Sequence, residues 1–327
     1  MAEQKDHLEV EISVEAELTE KGVSAKARSR ALAAFDRMIG SLLDIPAAHA
    51  ERTARRIRAD TDADVKLIQA DATAAEAKLL ASALAGDRAL ESLHRKQKVK
   101  LENKEHIVHQ VIEELKALPP PNVPDGGSEE LDDDWMNIFE RHAEDASSDR
   151  LRRIWARVLA GEVRAPGSFA LSTLRTISEL DQPIAQTFQK WTARRWQGVI
   201  IKPEKLENEV LSDLTFLEEV GLLQFVDGTV TRSLEVGPGG EAFLSGERLG
   251  LLINAPAGTK LSFPTIPITR VGREIASILP IDEEGVFREM TARLNLPAHA
   301  KAWLCEISSQ LGADIRYQGL KQLFPKG

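Results

Sequence analysis

HAERTARRIRADTDADVKLIQADATAAEAKLLASAL, His49 to Leu84, is the stretch on which the reading of the fold turns. It sits inside a longer span, Ala47 to Leu118, that contains no proline and only one glycine, Gly86. Most of its residues lose little side-chain freedom in a helix. The span predicts one long charge-mixed helix, and about 70 residues would make a rod of roughly 105 Å. A helix of that length needs a partner surface. Val65, Ile68, Ala72, Ala75 and Leu79 supply a thin heptad-like seam. Ser82 and Gly86 interrupt it, and Gly86 is expected to bend the rod or split it into two helices. Beyond it come Leu90, Leu93, Leu101, Ile107, Val108, Val111, Ile112 and Leu115, the last five close to one helical face. A coiled-coil stalk that joins copies of the chain is the expectation. The competing reading is a solvated helix folded back on its own domain.

On the N-terminal side, residues 1–24 are acidic, and Leu8, Val10, Ile12 and Val14 alternate with charges as a short strand would; disorder fits the composition equally well. Ala25 to Asp44 predicts an amphipathic helix with Ala27, Ala31, Ala34, Phe35, Met38, Ile39, Leu42 and Leu43 on one face. That face could meet another copy, the later domain or a membrane surface. Asp36 and Asp44 offset Arg28, Arg30 and Arg37, which argues against the membrane. Residues 25–118 therefore read as helix plus stalk. On the other side, PPPNVPDGGSEELDDD (Pro119 to Asp134) has turn-forming and acidic residues without apolar periodicity, so residues 119–133 read as a linker.

Residues 134–200 predict a helical bundle. Trp135, Ile138, Phe139 and His142 share a face of its first helix. Ser147 or Ser148 caps DRLRRIWARVLAGEV, whose core face is Leu151, Ile154, Trp155, Val158 and Leu159. Ser168 is expected to cap a third helix that buries Phe169, Leu171, Leu174 and Ile177, and Asp181 a fourth with Pro183 in its first turn. Residues 201–327 read as a winged-helix-like α/β module. It has a helix over Leu206 to Gly221, strands at Leu249–Ile253, Lys260–Phe263 and Pro267–Thr269, and a strand entering a helix over Ile268–Leu279. Glu283 to Leu311 reads as helix with Trp303 and Leu304 inward, and Gly312 to Leu320 as a short strand and turn. The fold class is mainly α.

The chain has 327 residues, a net charge of −9 and a single cysteine, Cys305. One cysteine excludes an internal disulfide and a cysteine-rich zinc site, and a reducing cytoplasm is the expected setting. No apolar run reaches membrane-spanning length, and the N-terminus lacks a signal-peptide pattern.

Within Phe139 to Phe188 the order is Leu151-x-x-x-Trp155-x-x-x-Leu159-Ala160-Gly161-Glu162, then Pro166-Gly167-Ser168-Phe169, then Leu171-x-x-Leu174. That arrangement resembles the core of a bacterial domain family of unknown function, and with the upstream rod the resemblance spans roughly Ala31 to Leu223. The Trp155-x-x-x-Leu159-Ala160 stretch is also remotely similar to abortive-infection alpha-type proteins linked with phage defence. The resemblance implies a bacterial setting and this domain order; it implies no catalytic residues and no cofactor.

Candidate chemistry is sparse. Glu102, His106 and His109 share a helix face, which fits a solvated polar face better than a metal site. The acidic Glu129 to Asp134 run lacks the ligand spacing of a calcium loop, and Gly237-Pro238-Gly239-Gly240 lacks the Gly-Lys-Ser/Thr ending of a phosphate loop. Arg88, Arg95, Lys96, Lys98, Lys100 and Lys104 form a basic stripe that could meet nucleic-acid phosphates. Further basic clusters lie at Arg150, Arg152, Arg153, Arg157 and Arg164 and at Arg194 and Arg195. A charge run is usually a solvated or ion-paired face. The sequence thus points to a non-enzymatic, self-associating scaffold or sensor, with a nucleic-acid-binding regulator as the rival.

Overall fold

The computed structural model describes residues 23–40, 73–117, 128, 130–311 and 314–324. The strand expected at Leu8–Val14, and the first part of the rod with Val65, Ile68 and Ala72, lie outside the described residues. The described chain divides into two compact units, one up to Leu174 and one from Arg175 onward.

The first unit is helical. α1 (Ala25–Phe35) is capped by the Ser24 hydroxyl, which accepts from Ala27 N at 3.2 Å, and runs into a π-helical turn over Asp36–Gly40. Its alanine stripe, Ala27, Ala31 and Ala34, is buried with Phe35 and Met38. Of the three surfaces this face could have met, it meets the later domain, against α4 (Asp149–Arg164). α2 (Thr73–Ala117) passes unbroken through Gly86, so the expected split there does not occur. A penalty of about 1 kcal/mol is too small to break a helix of otherwise good formers.

The C-terminal end of α2 packs on α3 (Asp133–Glu144) and α4, with Ile107, Val108, Val111, Ile112 and Leu115 buried. α4 begins as its sequence predicts, with Ser148 accepting from Leu151 N; α3 begins at Asp133, at the edge of the expected linker, with Asp132 accepting from Trp135 N. Trp135 stacks on Phe139 at 5.2 Å, Phe139 meets the edge of Trp155 at 5.7 Å, and His142 stacks on Trp155 at 5.6 Å. α5 (Leu171–Glu179) carries the division between the units. Ser168 does not cap it, because its hydroxyl turns back to Ala165 O; Leu171, expected in the core, is 46% exposed.

The second unit is mixed α/β, so the protein is not plainly mainly α. After α6 (Gln182–Thr192), capped by Asp181, come β1 (Arg195–Trp196), β2 (Val199–Ile201), α7 (Asn208–Glu219), β3 (Val230–Glu235), β4 (Glu241–Ser245), β5 (Leu249–Asn254) and β6 (Lys260–Pro267). They are followed by α8 (Arg270–Ser277), α9 (Glu283–Arg293), β7 (Lys301–Leu311) and β8 (Asp314–Phe324). The strands form two antiparallel four-stranded sheets, ordered β1-β2-β6-β3 and β4-β5-β7-β8. α9 packs against strands of both, and Val286, Phe287 and Met290 join Trp196, Phe263, Leu251 and Leu304 in one core. The helix expected over Glu283–Leu311 ends at Arg293, and Trp303 and Leu304 lie in β7. The strand expected at Pro267–Thr269 is the end of β6, with Thr269 capping α8 through Gly272 N.

Candidate assembly surface

α2 changes character along its length. From Asn103 to Leu115 it is woven into the first unit. Asn103 Nδ2 donates to Glu144 O at 2.8 Å, and its amide oxygen accepts from Arg152 Nε at 3.1 Å. Lys104, only 5% exposed, pairs with Glu140 at 3.2 Å, and Lys100 pairs with Glu144 and lies 3.8 Å from Asp145. The hydrogen bond to Glu144 holds the Lys100 ammonium above its ordinary pKa, against the effect of burial. Arg157 binds Glu114, and Arg164 Nη2 donates to Leu115 O at 2.9 Å, closing the helix's C-terminal turn.

On the N-terminal side of Lys100 this packing stops. Every residue from Ser92 to Val99 is exposed, including Leu93 at 57% and Val99 at 47%. The helix nevertheless continues back to Thr73. Helical spacing puts Leu79, Gly86, Leu90 and Leu93 in register with Val111 and Leu115. Gln97, Lys100 and Lys104 fall on that face between Leu93 and Val111, so the apolar stripe is interrupted where the helix leaves the first unit and continues as an arm. Thr73 to Val99 corresponds to about 40 Å of helix.

The basic stripe predicted from sequence is divided by this arrangement. Arg95 and Lys96 are exposed, Lys98 is exposed at 3.9 Å from Glu102, and Lys100 and Lys104 are engaged with α3 carboxylates. Arg88 lies on the same helix, in the part whose side chains are not described. His106 is exposed with Nδ1 at 2.6 Å from Glu102 O, and among the described residues no group of His, Cys, Asp or Glu is placed to hold a metal ion.

The motif residues come together as a clasp at the C-terminus of α4. Glu162, 3% exposed, accepts from Gly167 N and, at 3.0 Å, from Phe169 N. Gly167 holds φ at +85°, in the left-handed region, and Pro166 precedes it, so the chain reverses over the carboxylate. Phe169 lies back over Gly161, where a Cβ would stand 2.7 Å from its ring, and its carbonyl accepts from Trp135 Nε1 at 2.8 Å. Trp155 and Leu159 are buried beneath. Trp155, Leu159, Gly161, Glu162, Gly167 and Phe169 each have a packing or hydrogen-bonding reason in this clasp, whereas Ser168 closes the local turn on Ala165 and Leu171 is exposed.

Arg30 was missed by sequence reasoning. It is 1% exposed and donates to Val163 O at 2.6 Å, Ser128 O at 2.7 Å and Arg164 O at 3.2 Å, a cation on the carbonyl end of α4. Its signal was positional: Arg30 falls three residues after Ala27 and four before Ala34, inside the apolar stripe. Arg37 reaches Asp133 and Glu140; burial opposes its charge, but those carboxylates outweigh it and raise its pKa. Among the described residues no helix is long and apolar enough to cross a membrane.

A family model described as a protein of unknown function (DUF2806) matches residues 87–206. No curated protein and no solved structure matches the chain. Over those residues, from the arm of α2 through the clasp to the first two strands of the second unit, the chain is similar to that domain family of unknown function.

Proposed function

We propose that the protein is a self-associating scaffold and that the arm of α2 is its assembly element. The observation that carries this reading is the helix exposed on every side from Ser92 to Val99, with Leu93 and Val99 uncovered. An isolated helix gains little from propensity alone; its stability comes mainly from a packed face. Leu93 and Val99 stand about 120° apart round the helix, so partners on two faces would cover them, and each side chain fully buried would contribute roughly 1.5–3 kcal/mol. A second copy carries the same exposed helix, and two such helices can pair along their length as a coiled coil does. The clasp and the Arg30 contacts have the character of architecture, which fits a protein that holds positions rather than one that turns over a substrate. A setting in phage defence rests only on the resemblance of the Trp155 to Ala160 stretch.

Light scattering coupled to size-exclusion chromatography tests the assembly. The full chain is expected as a defined oligomer at micromolar concentration, and Leu93→Gln with Val99→Gln is expected to shift it toward monomer. Both positions are exposed, so the fold of each copy should survive. A full chain that stays monomeric would remove the proposal.

The rival reading, a nucleic-acid-binding regulator, retains exposed Arg95, Lys96 and Lys98, while Lys100 and Lys104 are tied to α3. It predicts salt-sensitive binding that weakens when Arg95 and Lys96 become alanine, and it falls if no binding occurs at low salt.

A further inference from the structure

The second unit holds a cavity of about 360 Å³, bounded by the β1–β2 hairpin, the loop between β4 and β5, and parts of α8 and α9. Ligand pockets run from roughly 300 to 1,000 Å³, so this one suits a small molecule and not a dinucleotide. Trp196, Ile281 and Phe287 give it an apolar side, and Gln197, Glu247 and Arg273 a polar one.

Its walls are fixed by two buried charges. Arg195, 9% exposed, donates to Thr192 O at 3.0 Å, Pro280 O at 3.1 Å and Leu279 O at 2.9 Å. Burial pulls its pKa down, while Glu247 and Glu283 pull it up. Glu283, 8% exposed, accepts from the backbone N–H groups of Glu247, Arg248 and Leu249. Burying a charge is costly unless it is fully bonded. Here both charges are bonded to backbone, and the result is a rigid rim.

The hairpin tip adds strain to that rim. Gln197 has φ +45° and Gly198 φ +78°, the pair of positive values a type I′ turn requires. A non-glycine residue there costs about 1–3 kcal/mol and persists only where its surroundings over-determine it. Gln197 Nε2 and Trp196 Nε1 both donate to Ser245 O, at 3.3 and 3.0 Å. Gly198 has no room for a side chain, since a Cβ would sit 2.7 Å from Arg273 Cδ. Arg273 therefore crosses the tip, anchored by Nη1 on Ile268 O at 2.8 Å. Its Nε and Nη2 have no hydrogen-bond partner among the described residues; the exposed Glu247 carboxylate has none either, and its charge acts on Arg195.

With Arg195 and Glu283 committed to backbone, the groups left to meet a ligand are one guanidinium edge and one carboxylate beside an apolar wall. The geometry points to a binding site for a small zwitterion of the α-amino-acid type. Its carboxylate would lie on Arg273, its ammonium on Glu247, and its side chain against Trp196, Ile281 and Phe287. The site is independent of the arm and of the assembly proposed above.

Isothermal titration of the full chain with L-phenylalanine and L-leucine tests it, with phenethylamine and 3-phenylpropanoate as the two halves of the charge pattern. At least one amino acid should bind. Removing either charged group from phenylalanine should weaken binding about tenfold or more. Arg273→Ala should weaken the amino acid by a similar factor and leave phenethylamine unchanged; Glu247→Gln should do the same and leave 3-phenylpropanoate unchanged. Absence of binding by both amino acids, half-ligands as tight as the whole, or variants that bind like the parent would each overturn the assignment. Both side chains are exposed at the cavity mouth, so neither substitution should unfold the unit.

Discussion

At the scale of single residues, the motif around Trp155 has a mechanical explanation. Glu162 is the acceptor for two backbone donors that the reversal at Gly167 turns inward. Glu162→Ala would strand both, and an unmet buried donor costs about 1–3 kcal/mol. Gly161→Ala would press a methyl into the Phe169 ring at 2.7 Å, an overpacking worth about 1–3 kcal/mol. Urea denaturation followed by tryptophan fluorescence should show both losses; an unchanged midpoint for Glu162→Ala would mean that water replaces the carboxylate. Asp213 gives the second unit a pH signature. Burial pushes its pKa up, but hydrogen bonds from Lys190 at 2.8 Å and Trp191 at 3.1 Å outweigh that and hold it below the ordinary value of 3.8. A carboxylate depressed in the folded state stabilises at pH above its unfolded value, and that contribution disappears as pH falls through the folded value. Since Lys190 is 57% exposed, the effect should be only about 0.2–1 kcal/mol. Asp213→Asn should remove it, so the gap in urea midpoint between variant and parent should be full at pH 7 and narrow as the pH falls below 3.8. A gap that stays the same at every pH would assign the effect to packing.

At the scale of elements, α2 joins two stretches with different physics. Its amides from Asn103 to Leu115 lie in a helix with a buried face, whereas those from Ser92 to Val99 lie in a helix exposed all round. Hydrogen exchange should therefore be slow in the first stretch, and in the second slow only under conditions where the chain associates. Uniform protection at every concentration would indicate that the arm is covered within one copy. The helices were legible because their signals are local. Ser148 and Asp181 each accept the backbone donor their position predicts, and the apolar faces of α3 and α4 repeat at helical spacing. The sheets were largely hidden because theirs are not. β6 runs through Pro264, a residue that argues against a central strand, yet Pro264 faces Thr231 and its carbonyl still accepts from Lys202 N at 3.0 Å. β7 reads as helix because Trp303, Leu304 and Ile307 have helical spacing, while its partner β5 lies some fifty residues earlier. β1 and β2 are too short to carry a period at all. The cavity was illegible for the same reason: Arg195, Glu247, Arg273 and Glu283 come together only once both sheets have formed.

At the scale of the whole molecule, the two units set where the chain can be cut. Sequence composition made the proline- and glycine-rich stretch at 119–133 look like the natural place. A fragment starting at Ser128 would lack Ile107, Val108, Val111, Ile112 and Leu115, all buried in the first unit. At roughly 1.5–3 kcal/mol each, those five represent about 8–15 kcal/mol, comparable with the entire stability of a domain. That fragment should lose cooperative structure around Trp135 and Trp155, and α1 would be absent as well, leaving Val163 O and Arg164 O without Arg30. A cut at Leu180 should behave differently. It retains the Asp181 cap, every strand pairing of both sheets, α9 between them, and both Arg195 and Glu283 with their backbone partners. Residues 180–327 should therefore unfold in one cooperative transition, with a near-ultraviolet dichroism signal from Trp191, Trp196 and Trp303. The decisive comparison is between the two fragments. If the one from Ser128 kept a native Trp155 environment, or the one from Leu180 gave no near-ultraviolet signal, the division of the chain at Leu174 would not describe how it folds.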